Sequence, residues 1–200
     1  MKNPNHPKIP NFPKLPNSGS RPGYEYLTCY MLALVIQELT EEFCKKFLSP
    51  NTPNLPNIEF RQIQQMTQAA RSTSQNTAEG YTQESLKGYI YLSGIAHGSN
   101  EELTKDFLHF LNKNNLAVWP KDDPKVRAFR GFRVRWVSPT SPNTPTLPNN
   151  SQEAGNMLLT FCQMEGYLLS KLVSSLKEKH KTEGGLTENL YRERKNFRGF

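Results

Sequence analysis

The sequence predicts an all-α protein, an antiparallel four-helix bundle with Pro-rich loops and a basic C-terminal extension. Three observations carry that expectation. Four segments place apolar residues three to five positions apart, the spacing of one helical face. No segment shows a convincing alternation of apolar and polar residues, as a half-buried strand would. Nearly all of the fifteen prolines fall between those segments rather than inside them.

The first helical pattern spans 24–48, with Leu27, Met31, Leu34, Leu39, Phe43 and Phe47 as its apolar stripe. The second spans 58–81 and carries Phe60, Ile63, Met66, Ala70, Thr73, Thr77 and Tyr81. Small residues on that face let neighbouring helices approach closely. Gly80 reads as its C-terminal punctuation, and Thr82 with Glu84 as the start of the next helix. The third, 83–112, presents Leu86, Tyr89, Ile90, Leu92, Ile95, Leu103, Phe107, Leu108 and Leu111. The fourth, 151–180, carries Met157, Leu158, Phe161, Met164, Leu168, Leu172, Val173 and Leu176, and Gly184-Gly185 ends it. Tyr30, Val35, Tyr91 and Leu169 lie off these stripes and are expected to face a neighbouring protomer.

Between the patterns lie spacers. Residues 1–22 form an arm with prolines at 4, 7, 10, 13, 16 and 22, a period that suits an extended polyproline II strand. Residues 49–57 and 141–149 are near-copies that agree at eight of nine positions, differing at Asn54 and Thr146. Both are expected to be low-complexity surface loops that bury little. The organisation is therefore an arm at 1–22, a bundle over 23–180 with inserts at 49–57 and 137–150, and a tail at 181–200. At 200 residues the chain can bury one core. No window supplies the roughly 18 consecutive apolar residues of a membrane span, and the N-terminus lacks the apolar run of a secretory signal. Cys29, Cys44 and Cys162 form no Cys-x-x-Cys pair, which suits reduced thiols and a cytoplasmic location.

The net charge of +7 is unevenly spread. Residues 23–111 carry six basic and ten acidic side chains, whereas 112–136 carry seven basic and two acidic, and 171–200 eight and four. Such asymmetry points to a polyanionic partner. Within 112–136, Lys121, Lys125, Arg127, Arg130, Arg133 and Arg135 alternate with Trp119, Phe129, Phe132 and Trp136. Cations attract phosphates and release their counterions, and aromatic faces stack on bases, so the segment is a candidate nucleic-acid surface. The competing reading has the aromatics capping the bundle while the charges stay solvated. The tail adds Arg192, Arg194, Lys195 and Arg198, on a helix begun by Thr187 and docked through Leu190 and Tyr191, or on an arm ordered by its partner.

Enzymatic chemistry finds little support. Glu79 and Glu102 are available as a carboxylate pair, but their Ala, Gly, Ser and Asn neighbours suit helix packing. A di-metal bundle needs two Glu-x-x-His motifs, and the chain offers one near-miss, Asp106-x-x-His109. No phosphate loop, nucleophile elbow or Cys/His constellation is present. We therefore expect a protein that is not an enzyme and uses no cofactor and no metal.

The stretch from Gln68 to Tyr81 includes Arg71, Ser72, Asn76, Ala78, Glu79 and Gly80. It resembles the motif R-x-x-S-I-x-x-N-I-A-E-G of the four-helix-bundle family encoded in intervening sequences of large-subunit ribosomal RNA genes. That family is similar to the accessory variability determinants of diversity-generating retroelements. Thr77 stands where the motif has Ile. Tyr89-Ile90-Tyr91-Leu92 and the run from Ala96 to Leu103, with Gly98 and Glu102, resemble the family's following helix. Trp119, Arg127, Arg130 and the run from Glu183 to Arg194 look like a C-terminal extension found on some members. The resemblance implies a homopentameric ring, binding of RNA or of an RNA/DNA hybrid, and a reverse transcriptase as protein partner. The expected function is thus a non-catalytic, RNA-binding oligomeric scaffold with no membrane partner. The alternative is a structural protein–protein adaptor whose positive charge is incidental.

Overall fold

The computed structural model describes residues 21–48, 57–138 and 140–198. Residues 1–20 of the expected arm and 49–56 of the first nonapeptide lie outside that range. The described residues are helical and form no strand. After a 3-10 turn at Gly23–Tyr26 come α1 (Thr28–Phe43), continued by a wider π-helical turn at Cys44–Leu48, and α2 (Asn57–Tyr81). Then follow α3 (Leu86–Lys113), α4 (Pro124–Arg130), α5 (Ser151–Glu183) and α6 (Leu186–Arg198).

The four long helices pack in a cycle, α1 on α2, α2 on α3, α3 on α5 and α5 on α1. Phe43, Met66, Phe107, Leu158 and Phe161 are buried in the core they share. Paired contacts set the registers of α2, α3 and α5. Along α2 and α3, Gly80 faces Tyr89 and Leu92, while Ser72 bonds Ser99 at 2.9 Å. Along α3 and α5, Gly155 faces Leu111, and the Asn100 amide donates to the Cys162 carbonyl at 2.9 Å.

Several local expectations shift. The buried face of α1 is Leu32, Val35, Ile36, Leu39 and Phe43, with Met31 and Leu34 only half-buried. This helix lies against both α2 and α5, so it buries a broader face than a single stripe. Val35 and Leu169 are both 0% exposed and belong to the interior, not to an interface between copies. Gly80 does not end α2. A Cβ there would sit 3.1 Å from the Tyr89 ring, so the glycine allows α3 to approach. The α3 cap is Ser85, whose hydroxyl accepts from the Gly88 N–H at 3.1 Å, rather than Thr82. Gly184, at φ 79°, closes α5 as expected, its N–H donating to the His180 carbonyl.

The second nonapeptide is not a spacer. Pro142 is buried, and Leu147 is 2% exposed within the main core. Asn143 ties a tight turn, its side chain accepting from the Arg135 N–H at 2.6 Å and donating to the Arg133 carbonyl at 3.1 Å. Thr144 donates to Glu38 on α1 at 2.6 Å, and Lys46 donates to Asn149 at 2.6 Å. The segment crosses α1 before entering α5, and that path buries its one leucine.

A candidate polyanion-binding surface

The basic aromatic segment reaches its position through one buried amide. Asn156, on α5, accepts from the Trp119 N–H at 2.7 Å and donates to the Ala117 carbonyl at 2.9 Å. At 2% exposure it pins the chain leaving α3 onto α5. The α4 turn then begins with Asp123 as its cap, accepting from the Lys125 N–H at 2.8 Å, and with Pro124 in its first turn. Val126 is buried, and α4 lies along α5.

All four aromatic side chains of the segment are engaged with the protein itself. Trp119 and Phe129 lie parallel, with ring centres 6.5 Å apart, and the Lys125 ammonium sits 5.1 Å from the Trp119 ring. Phe132 stacks on buried Phe161 at 5.2 Å. The Trp136 indole donates to the Glu25 carbonyl at 2.8 Å, while the Arg21 guanidinium covers one face at 4.4 Å.

The cations have the opposite fate. Lys121, Lys125, Arg127, Arg133 and Arg135 are exposed and Arg130 half-exposed. Among the described residues only Lys125 of these has an ion pair, with Glu153 at 2.9 Å. Arg133 donates to the Arg130 and Phe132 carbonyls at 3.0 Å, which steadies the guanidinium without neutralising it. Packing the aromatics inward therefore turns the alternating sequence into a row of outward charges.

Lys121, Arg130 and Arg133 also rim a groove of about 870 Å³. Its apolar wall comes from Leu32 on α1, Met164 and Leu168 on α5, and Phe132 and Val134 between them. Tyr167, 63% exposed, stands at its edge. No acidic side chain lines it.

The tail cations stand apart. Arg192, Arg194, Lys195 and Arg198 are exposed on α6, which buries none of its residues. Leu190 is 54% and Tyr191 67% exposed, so the expected docking through them is not made. The helix starts at Leu186, one residue before the expected Thr187 cap, and the Gly185 N–H donates to the Glu188 side chain at 2.9 Å.

The remaining motif residues form a polar seam between α2 and α3. Asn76 donates to the Ser72 hydroxyl at 2.9 Å, and Ser72 bonds Ser99. Arg71, Glu79, Gly98 and Glu102 are exposed, and Gly80 is buried. Glu102 and Asp106 line a polar groove with Gln64, Gln65 and Gln68. Burial, then the adjacent Glu102, pushes the Asp106 carboxyl upward. Glu79 lies some eleven residues along α2 from Gln68, about 16 Å at 1.5 Å per residue, so the two glutamates do not form a pair. Among the described residues no three His, Cys, Asp or Glu side chains are grouped as for a metal, and no helix is long and apolar enough to cross a membrane.

One interior group has only a faint signal in the sequence, a single acid in an apolar run from Met157 to Leu169. Glu165 is 0% exposed, and neither carboxylate oxygen has a hydrogen-bond partner. Burial raises its pKa well above the ordinary carboxylate range. Cys29 and Cys162 are free and buried; desolvation, then the neighbouring Glu165, pushes both thiols up, Cys29 to about 12.

No family model, curated protein or solved structure matches the chain.

Proposed function

We propose that this chain is a non-catalytic, RNA-binding accessory scaffold. Its four long helices then act as an antiparallel four-helix bundle, which the opposed registers of α2, α3 and α5 support. One observation carries the reading: five cations of the 121–135 segment are exposed while its aromatics engage the protein itself, and four of the five lack an acidic partner among the described residues. Unneutralised cations displace the counterions condensed on nucleic-acid phosphates, and that release is a main source of affinity for nucleic acid.

Lys121, Lys125, Arg127, Arg130, Arg133 and Arg135 form the principal binding surface, and Arg192, Arg194, Lys195 and Arg198 a second one on α6. Base stacking by Trp119, Phe129, Phe132 or Trp136 requires those rings to leave their present partners, so we assign the affinity to the cations. The resemblance of the Asn76-to-Gly80 region to retroelement accessory determinants extends the proposal to a cytoplasmic homopentamer assisting a reverse transcriptase. Five copies would multiply the basic row and raise avidity without new chemistry.

The test is fluorescence anisotropy with labelled single-stranded RNA and an RNA/DNA hybrid across a salt series, alongside light scattering. The reading expects binding that weakens steeply with salt and a discrete oligomer. Salt-independent binding, or none at low salt, overturns the nucleic-acid reading. A monomer that binds RNA tightly overturns only the ring.

A further inference from the structure

We infer that the groove between α1 and α5 is a docking site for an acidic amphipathic helix of another protein. This goes beyond the RNA reading, and each can fail without the other.

The groove combines two features that bare phosphate binding does not need together. Its wall is largely aliphatic, from Leu32, Val134, Met164 and Leu168; of its two rings, Phe132 already spends one face on Phe161 and Tyr167 stands outside that wall at the edge. Such a wall suits Leu, Ile, Met or Phe side chains better than nucleobases, which bind most strongly against free aromatic faces. Its rim is cationic, with Lys121, Arg130 and Arg133 and no acid. None of these three has an ion pair among the described residues. An occupant must therefore be apolar on one side and anionic at its flanks.

The shape narrows the choice further. The groove is partly open to solvent, so its occupant keeps a face in water, as an amphipathic peptide does and a buried acyl chain does not. No strand edge exists among the described residues to pair with an extended peptide. A docking segment must then satisfy its own backbone, and a helix does so. On the α5 side, Met164 and Leu168 are one turn apart, with Tyr167 beside them. That spacing makes the ridge against which a third helix nests.

The occupant does not come from this chain. Residues 1–22 carry four basic side chains and no acidic one, and residues 49–57 carry none of either sign. Helix α6 has exposed apolar residues, but its four cations outnumber Glu188 and Glu193. Every such segment is neutral or repelled by the rim. A separate protein supplies the acidic helix.

The experiment uses the full chain and a fluorescein-labelled helical peptide of about 16 residues, with Leu and Phe at i, i+3, i+4 and i+7 and Glu on the flanks. Three control probes are the same peptide with Lys flanks, one with Ser replacing Leu and Phe, and oligouridylate. We expect saturable binding of the acidic amphipathic peptide, weakened about tenfold or more by Arg130→Glu/Arg133→Glu. That variant should gain the Lys-flanked peptide. Tyr167→Ala, a neutral change at an exposed position, should weaken the acidic peptide and leave oligouridylate binding unchanged. Equal binding of the Ser-substituted peptide overturns the proposal, because the rim then acts as plain charge. So does oligouridylate binding without peptide binding, which would leave the RNA reading standing. Unchanged peptide affinity in the folded Arg130→Glu/Arg133→Glu protein also overturns it.

Discussion

The segment Trp119–Trp136 and the helix α6 have similar composition and opposite tertiary fates. Both interleave Arg and Lys with aromatic and aliphatic residues. In the first, Phe132 lies against Phe161 and Trp136 is fastened to Glu25 in the 3-10 turn that precedes α1. In the second, Phe197 is 93% and Tyr191 67% exposed. The difference is one of neighbours. The first segment runs back over the packed N-terminal half of α5, where ten of the first twelve residues from Ala154 are buried. Past Leu176, α5 buries nothing, and α6 starts beyond that point with no surface to cover. Arg133 and Lys125 of the first segment are steadied by the Arg130 and Phe132 carbonyls and by Glu153, which lowers the side-chain ordering that binding costs them, whereas the α6 cations make no such contact among the described residues.

The largest expected effect tests whether the loop that holds the first segment is structural. Leu147→Ala should lower stability by about 2–5 kcal/mol, because it empties a site that is 2% exposed in the main core. Replacing 141–149 with Gly and Ser should cost at least as much, since it also removes the Asn143 ties. Denaturant unfolding measures both. A change near zero would make this loop the spacer that its composition resembles.

The next effect concerns the α5 interior between the two regions. Glu165 has a folded pKa raised above the ordinary 4.5, so the folded state holds its proton more tightly than the unfolded state. The stability this provides is complete below pH 4.5 and is lost progressively as pH rises towards the folded pKa. Glu165→Gln should therefore raise the melting midpoint relative to the parent at about pH 8 and leave the difference smallest at about pH 4. Parallel midpoints across that range would mean that Glu165 has found a partner.

Electrostatics separates the two regions directly. Changing Arg127, Arg130, Arg133 and Arg135 to Gln should reduce the log–log salt slope of RNA binding by roughly 0.7–0.9 for each phosphate the protein no longer neutralises. Arg192, Arg194 and Lys195 changed together should reduce it less, because α6 buries none of its residues and its cations have no packed surface to hold them beside one another. A larger reduction from the tail would reverse the ranking of the two surfaces. The smallest effect is on stability: Leu190→Ala and Tyr191→Ala should change it by no more than about 0.5 kcal/mol, because neither side chain is buried. A greater destabilisation by calorimetry would show that α6 docks after all.

Long amphipathic runs report their own helicity, so the 58–81 and 151–180 patterns lie within one to three residues of α2 and α5. The cations of 121–135 were legible as charges, since surface exposure is what Lys and Arg adopt by default. Phe132 and Trp136 were not legible as anchors. Their composition suits stacking on a base and stacking on Phe161 equally well. Asn156 looked like any polar residue at the start of a helix, yet it holds the segment in place through two hydrogen bonds. Leu147 was hidden by the Pro, Asn and Thr around it.

Residue spacing alone determines the all-helical class, the approximate ends of the long helices and the uneven charge along the chain. Each depends on residues a few positions apart, within reach of one helical turn. Only the tertiary structure decides that one basic segment is anchored and the other free, that the 141–149 nonapeptide carries a core leucine, and that Glu165 is sealed inside. Those outcomes depend on which distant surface lies opposite: Phe161 opposite Phe132, Glu38 opposite Thr144, and nothing among the described residues burying Phe197. Burial is a property of pairs far apart in the chain, and local composition does not encode its partner.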